Sequence, residues 1–289
     1  ISMKIPKIRL IATDLDGTLL RDDKTIDEKT KERLIQAQKQ GIIIVIATGR
    51  HKSGIDFVTK PLQLEQHGNN YVAGINGEII YSYKNKEYFV DQVLCDKDAQ
   101  IIRRTVKRFG CEAIYFCGYD MYDQISWWLK IKKLLYSLLF RKPADYGLKG
   151  AKHNFIELHK EHTFTQDINK VVFTQTKRFF DKHLEEMRKE LRDYDLLKVG
   201  PGWIELMPKG VNKASAILKI AEANGISKEE ILCFGDAEND LSMMQQIPHS
   251  IAMGNAMNIV KEAAFDICDS NMEAGIAKAL DKYIFQKTS

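Results

Sequence analysis

The sequence predicts an α/β protein, a doubly wound parallel sheet into which a second α+β domain is inserted. Three observations predict it. Near both ends of the chain, strand-length runs are continuously apolar, as strands covered on both faces of a parallel sheet read. Helical spacing separates these runs, which gives the β-α-β order of such a sheet. Between about residues 87 and 203 the rhythm changes to longer helices, aromatic clusters and strands such as "EAIYFCG" and "KVVFTQT". The expected division is therefore 1–86 with 204–289 for the core and 87–203 for the insertion.

The elements follow in order. "IRLIAT" is the first buried strand and runs straight into two aspartates. "TIDEKTKERLIQAQKQG" is a helix that Thr25 or Asp27 can cap and Gly41 stops. "IIIVIAT" is a second buried strand, "NYVAGING" a third, and "NGEIIYSYKNKEYF" a hairpin. Beyond the insertion, "VNKASAILKIAEANG" is an amphipathic helix, "EILCFGD" a strand, "DLSMMQQI" a short helix and "HSIAMG" another strand. "NIVKEAAF" and "EAGIAKALDKYIF" are helices on either side of "DICD". The pattern holds no internal repeat.

Composition narrows the class. With 289 residues, 44% hydrophobic and 28% charged, the chain can bury a sizeable core. A net charge of +4 does not argue for nucleic acid. Five cysteines without a C-x-x-C pair favour a reduced, cytoplasmic setting. The N-terminal apolar stretch reads as a strand and not a signal peptide, and no run reaches the roughly 20 apolar residues of a membrane helix.

Four short stretches carry the candidate chemistry, each at the C-terminal end of a core strand or at the start of a helix beside it, the edge where open α/β sheets bind ligands. They are Asp14-x-Asp16-Gly17-Thr18, Thr48 in "ATGR", Lys213 in "MPKGVNK", and "GDAEND" with Asp236, Asn239 and Asp240. Each has an ordinary reading: Asp16-Gly17 can close a turn, Thr48 can cap a helix, Lys213 can be a solvated lysine and Asp236 can serve a turn. Together they solve one chemical problem. Three carboxylates, Asp14, Asp16 and Asp236, repel one another and a phosphate unless a cation sits among them, and an all-oxygen set suits Mg2+. A carboxylate can then attack phosphorus to give an acyl phosphate, a second can shuttle the proton, and Thr48 and Lys213 can hold the transferring phosphoryl group.

On these motifs, with "NG" at Asn76-Gly77, "AMGNA" and "DSNMEAGIAKAL", the sequence resembles the haloacid dehalogenase superfamily. More narrowly it is similar to the Cof-type phosphatases, which have a Rossmann-like core and a large α/β cap inserted between the second and third motifs. The resemblance implies Asp14 as nucleophile and Asp16 as general acid/base. It implies Mg2+ held by Asp14, the backbone carbonyl of Asp16, and Asp236, with Asp240 supporting that site. It implies Thr48, Gly49 and Lys213 at the phosphoryl group, and Asn239 either on the phosphate or orienting Lys213. Keeping the second aspartate points to a phosphatase or phosphomutase and away from a dehalogenase.

The reading is a magnesium-dependent phosphatase of small phosphorylated metabolites, sugar phosphates first, working through an aspartyl-phosphate. A phosphomutase, or a binding or regulatory module on a phosphatase fold, are the alternatives. A monomer or homodimer is expected, with no nucleic acid partner and no membrane favoured. Arg50 can reach substrate or simply pair with an acid, and Asn255 can support the metal loop. Asp22 and Asp23 read as loop charges, and the histidines show no zinc pattern. The stretch 126–145, "SWWLKIKKLLYSLLFRKPAD", sets an apolar stripe beside several basic residues. Its expected role is a helix packing that stripe on the sheet of the inserted domain, with a membrane surface, a dimer contact or a substrate-facing wall as the alternatives.

Overall fold

The computed structural model describes residues 6–118, 120–140, 154–159 and 161–285. The chain starts with β1 (Leu10–Thr13), α1 (Glu28–Lys39), β2 (Ile43–Ala47), α2 (Asp56–Thr59), β3 (Tyr71–Gly74), β4 (Ile79–Ser82) and β5 (Glu87–Val90). Then come α3 (Asp96–Phe109), β6 (Glu112–Cys117), β7 (Asp120–Gln124), α4 (Trp127–Phe140), β8 (Asn154–Glu157), β9 (Lys170–Thr174), α5 (Lys177–Glu190), β10 (Tyr194–Gly200) and β11 (Trp203–Pro208). The last part holds α6 (Lys213–Ala223), β12 (Ile231–Gly235), α7 (Leu241–Gln246), β13 (His249–Ala252), α8 (Asn258–Ala263), β14 (Asp266–Ile267) and α9 (Gly275–Leu280).

The chain divides into two compact units, one made of Ile1–Asp91 with Val211–Ser289 and the other of Gln92–Gly210. In the first unit the sheet runs β14-β13-β12-β1-β2-β3-β4-β5. Pairing is parallel from β14 to β3 and antiparallel from β3 to β5. Every residue of β1, β2 and β12 is buried, which is why these strands read as unbroken apolar runs. Of the two candidate caps of α1, the structure uses Asp27, whose Oδ1 accepts from the Thr30 N–H at 3.1 Å. β12, β1 and β2 are neighbours in the sheet, so the loops at their C-terminal ends must converge. That adjacency positions the site.

In the second unit the order is β10-β11-β9-β6-β7-β8, antiparallel except for the parallel pair β7–β8. Its core packs Ala99, Ile102 and Val106 of α3, and Phe180, Leu184 and Met187 of α5, against Tyr115 and Phe173 of the sheet. Strand alternation puts Glu112, Lys170, Thr174 and Glu205 on the other face. There Glu112 accepts from the Thr174 hydroxyl, and Lys170 pairs with Glu205 at 2.5 Å.

Two expectations shift. The division falls at 91/92 and 210/211, not at 86/87 and 203/204, because β5 pairs with β4 in the first sheet while β11 pairs with β9 and β10 in the second. A strand belongs with the neighbour that satisfies its backbone N–H and C=O groups, and apolar content alone does not name that neighbour. The stripe of α4 is not packed on the sheet: Trp127, Trp128, Leu134, Leu135 and Leu138 are all exposed. α3 and α5 already fill that core, and no described side chain of α4 enters it. The end of the stretch, with Arg141 and Lys142, lies outside the described residues.

Candidate active site

The site is built on the ends of three adjacent strands. Asp14 follows β1, and its N–H donates to the Phe234 carbonyl of β12 at 3.0 Å. Thr48 follows β2 and is buried, its N–H bonded to the Ala73 carbonyl at 2.9 Å. Asp236 follows β12. Lys213 is the first residue of α6, which Asn212 caps by accepting from the Ser215 N–H at 3.0 Å.

Lys213 is fully buried, and its Nζ donates to Asp14 Oδ1 at 2.5 Å and to Asp240 Oδ1 at 2.6 Å. The other oxygen of Asp240 accepts the backbone N–H groups of Asp236 and Ala237 at 2.9 and 3.0 Å. Asp240 therefore locks the loop after β12 and anchors the lysine. Asp14, Asp236 and Asp240 each offer a carboxylate oxygen within 4.8 Å of the others. Burial pushes the Asp14 carboxyl up to about 8; Asp240 adds to the rise and Lys213 opposes it. Burial also carries Asp236 up to about 6, with the Thr18 hydroxyl, 2.7 Å from its Oδ1, pulling the other way. Burial alone would lower the lysine's pKa, but Asp14 and Asp240 outweigh it and hold Lys213 charged.

Gly17 shows why the turn after Asp16 takes this residue. Its φ is +82°, and a Cβ there would lie 2.5 Å from Asp236 Oδ2. Gly17→Ala is therefore expected to displace Asp236 and to lower hydrolysis and Mg2+ affinity together. Calorimetric titration with Mg2+ and a rate assay check this, and wild-type values in both would refute it. Gly77, at φ +102°, plays a similar part, since a Cβ would sit 2.3 Å from the Asn212 carbonyl at the start of α6. That close approach brings the loop after β3 against the helix that presents Lys213.

The Asp16 carboxylate stands apart from this cluster. Arg50 grips it with two hydrogen bonds, Nε to Oδ2 at 2.8 Å and an Nη to Oδ1 at 2.7 Å, and Lys24 adds a third at 3.0 Å. Burial works against ionisation here, but Arg50 and Lys24 outweigh it and hold the carboxyl below its ordinary value. Asn239 donates to Asn76 Oδ1 at 3.1 Å and not to Lys213, so it ties the loop after β12 to the loop after β3. Gly49 lies against the same Asn76, since a Cβ on it would be 3.2 Å from that oxygen.

Sequence reasoning passed over two supports. Lys24 sits in "RDDKT", which reads as a plain turn and gives no sign of reaching back to Asp16. Asn271 donates to the Leu20 carbonyl at 2.9 Å, and its N–H donates to Asn255 Oδ1 at 3.1 Å. Asn255 in turn donates to the Gly17 carbonyl at 2.8 Å, so the asparagine of "AMGNA" is a brace for the aspartate loop.

With this geometry in place, comparison with known proteins decides the family. Residues 11–280 match the haloacid dehalogenase-like hydrolases. The chain belongs to that family. Among relatives of this hydrolase is the 5-amino-6-(5-phospho-D-ribitylamino)uracil phosphatase YcsE of Bacillus subtilis, 27% identical and covering 96% of both chains. The phosphatase of the same name, YbjI, of Escherichia coli is also 27% identical, again over 96% of each chain. A haloacid dehalogenase-like hydrolase from Bacteroides thetaiotaomicron superposes with a TM-score of 0.72 at 26% identity, over 96% of this chain and 99% of the other. These bear out the family resemblance and the α/β fold read from the motifs, and the chain is a phosphatase of this family.

Proposed function

We propose that the protein hydrolyses small phosphorylated metabolites, with Asp14 as nucleophile and Asp16 as general acid/base. The observation that carries this reading is the buried Lys213 ammonium bridging Asp14 and Asp240 beside Asp236. In that setting the Asp14 carboxylate attacks phosphorus and the bond to the leaving oxygen breaks. Asp16 gives that oxygen its proton and later takes one from the water that hydrolyses the aspartyl-phosphate. Arg50 and Lys24 keep Asp16 ionised at rest, so loading it with a proton requires Asp16 to trade those contacts for a substrate oxygen. Thr48, Gly49 and Lys213 hold the phosphoryl group, Lys213 as a point charge.

The donor set fits Mg2+, because Asp14 and Asp236 present hard oxygens and their ionised forms are crowded without a cation. Asp14, Asp236 and the Asp16 carbonyl would hold the ion, with Asp240 fixing the loop that carries Asp236. The ion, when bound, supplies the positive charge that lets a carboxylate and a phosphate approach. EDTA should abolish hydrolysis of an aryl phosphate and added Mg2+ should restore it; full activity in chelator would remove the metal.

The pH dependence has a defined sign. Asp14 and Asp236 are raised above the ordinary 3.8, to about 8 and about 6. In the metal-free protein the stability tied to their protonated forms is lost as pH rises from about 4 through about 8. A cation needs the ionised forms, so Mg2+ affinity should rise over that window. Glu112 of the second unit is also raised to about 8, mainly by burial. It destabilises the chain with the same sign, but not in an Mg2+-dependent way. Melting curves with EDTA or Mg2+ across this range test the reading, and a metal-induced gain that shrinks with rising pH contradicts it.

The substrate class is taken as sugar and polyol phosphates. The named substrate of the YcsE and YbjI relatives carries its phosphate on a ribityl chain, which belongs to that class. The candidate site residues lie outside Gln92–Gly210, and we assign that unit to substrate choice as an inserted cap.

A further inference from the structure

We infer that α4 is a docking face for an anionic lipid bilayer, on which it lies in the plane of the surface. The helix has 14 residues, about 21 Å, too short for the roughly 30 Å of a bilayer core. No helix among the described residues is long and apolar enough to cross one. Its apolar side is nonetheless turned outward: Trp127, Trp128, Leu134, Leu138 and Leu139 are 62%, 67%, 61%, 67% and 76% exposed. Two exposed tryptophans on one helical turn are costly in water, and indole rings settle well at the headgroup level.

The arc has an ordered margin. Ile131 lies at its centre, and at about 100° per residue Lys130 and Lys132 fall on opposite sides of it. Lysines so placed can bury their stems along the apolar surface and carry their ammonium groups to the headgroups. Lys132 is exposed, while Lys130 is paired with Glu157 of β8. In the sequence, the helix itself, 127–140, holds three lysines and no acid.

That charge selects the occupant. A second copy of the chain would bring two lysine-edged faces together, like charge against like, whereas an anionic bilayer offers the sign complementary to the exposed Lys132 at the margin of the arc. Trp127 and Trp128, stacked edge to face at 4.4 Å, give the insertion its aromatic anchor.

The test uses the full chain and vesicles of phosphatidylcholine, with or without phosphatidylglycerol. Flotation should recover the protein with the anionic vesicles only, and recovery should fall as salt rises. Tryptophan emission should shift to the blue on binding. The shift should vanish in the Trp127→Ser, Trp128→Ser double variant, which keeps Trp203. Lys132→Glu should weaken partitioning by about fivefold or more. Leu134→Ser with Leu138→Ser should abolish binding without changing aryl phosphate hydrolysis, since these side chains leave the core untouched. If the leucine variant folds poorly, Lys132→Glu still decides. Failure to float with anionic vesicles, equal recovery with neutral ones, or a dimer dispersed by Leu138→Ser would each overturn the proposal.

Discussion

Asp14→Asn is expected to drop phosphate-ester hydrolysis to background, about 10⁴-fold or more, in a protein that still folds. Asparagine keeps the shape of the side chain, so β1 and its hydrogen bond to Phe234 are undisturbed. It removes a carboxylate that burial and Asp240 already disfavour, and Lys213 retains Asp240 at 2.6 Å. The variant should therefore melt no lower than wild type in EDTA. That separates lost chemistry from lost structure. Beryllofluoride, a phosphoryl mimic, should form its adduct on Asp14 in the wild type and none in the variant. An Asp14→Asn enzyme that turns over near the wild-type rate would end the nucleophile assignment.

The core was legible because its physics is local. Strands buried on both faces carry no polar alternation, and "IRLIAT", "IIIVIAT" and "EILCF" each show this within a few residues. The clustering of the candidate residues was legible because residues at the ends of adjacent strands meet whatever else the fold does. Contacts that depend on long-range placement were not. "ATGR" leaves Arg50 the choice of a substrate or an acid but does not name Asp16, and nothing near Asn271 shows that it braces a loop some 250 positions away. The second unit was read least well. Helical spacing in α4 shows that one side is apolar, but whether a neighbour covers that side depends on what α3 and α5 have already filled. A periodic stripe reports amphipathicity, and only tertiary structure says whether it is met.

Lys213→Ala carries the other large effect, and it acts on both stability and rate. The substitution leaves Asp14 and Asp240, 6% and 0% exposed, facing each other without the ammonium that bridges them. Removing one partner of a buried charge network costs about 3–5 kcal/mol, so a clear fall in melting temperature is expected. Part of it should return on acidification, which neutralises the Asp14 carboxylate, or on adding Mg2+, which replaces the lost positive charge. For the rate, the role we assign the lysine is at the phosphoryl group, which every substrate shares. Assayed well below its melting temperature and in Mg2+, the variant should lose about 10²–10³-fold in kcat/KM, by a similar factor for each of several phosphate esters. Substitutions in Gln92–Gly210, the assigned cap, should instead reorder those esters, if our assignment of that unit to substrate choice holds. If Lys213→Ala changes the ranking while substitutions in the second unit lower all esters alike, chemistry and choice are not divided between the two units in this way.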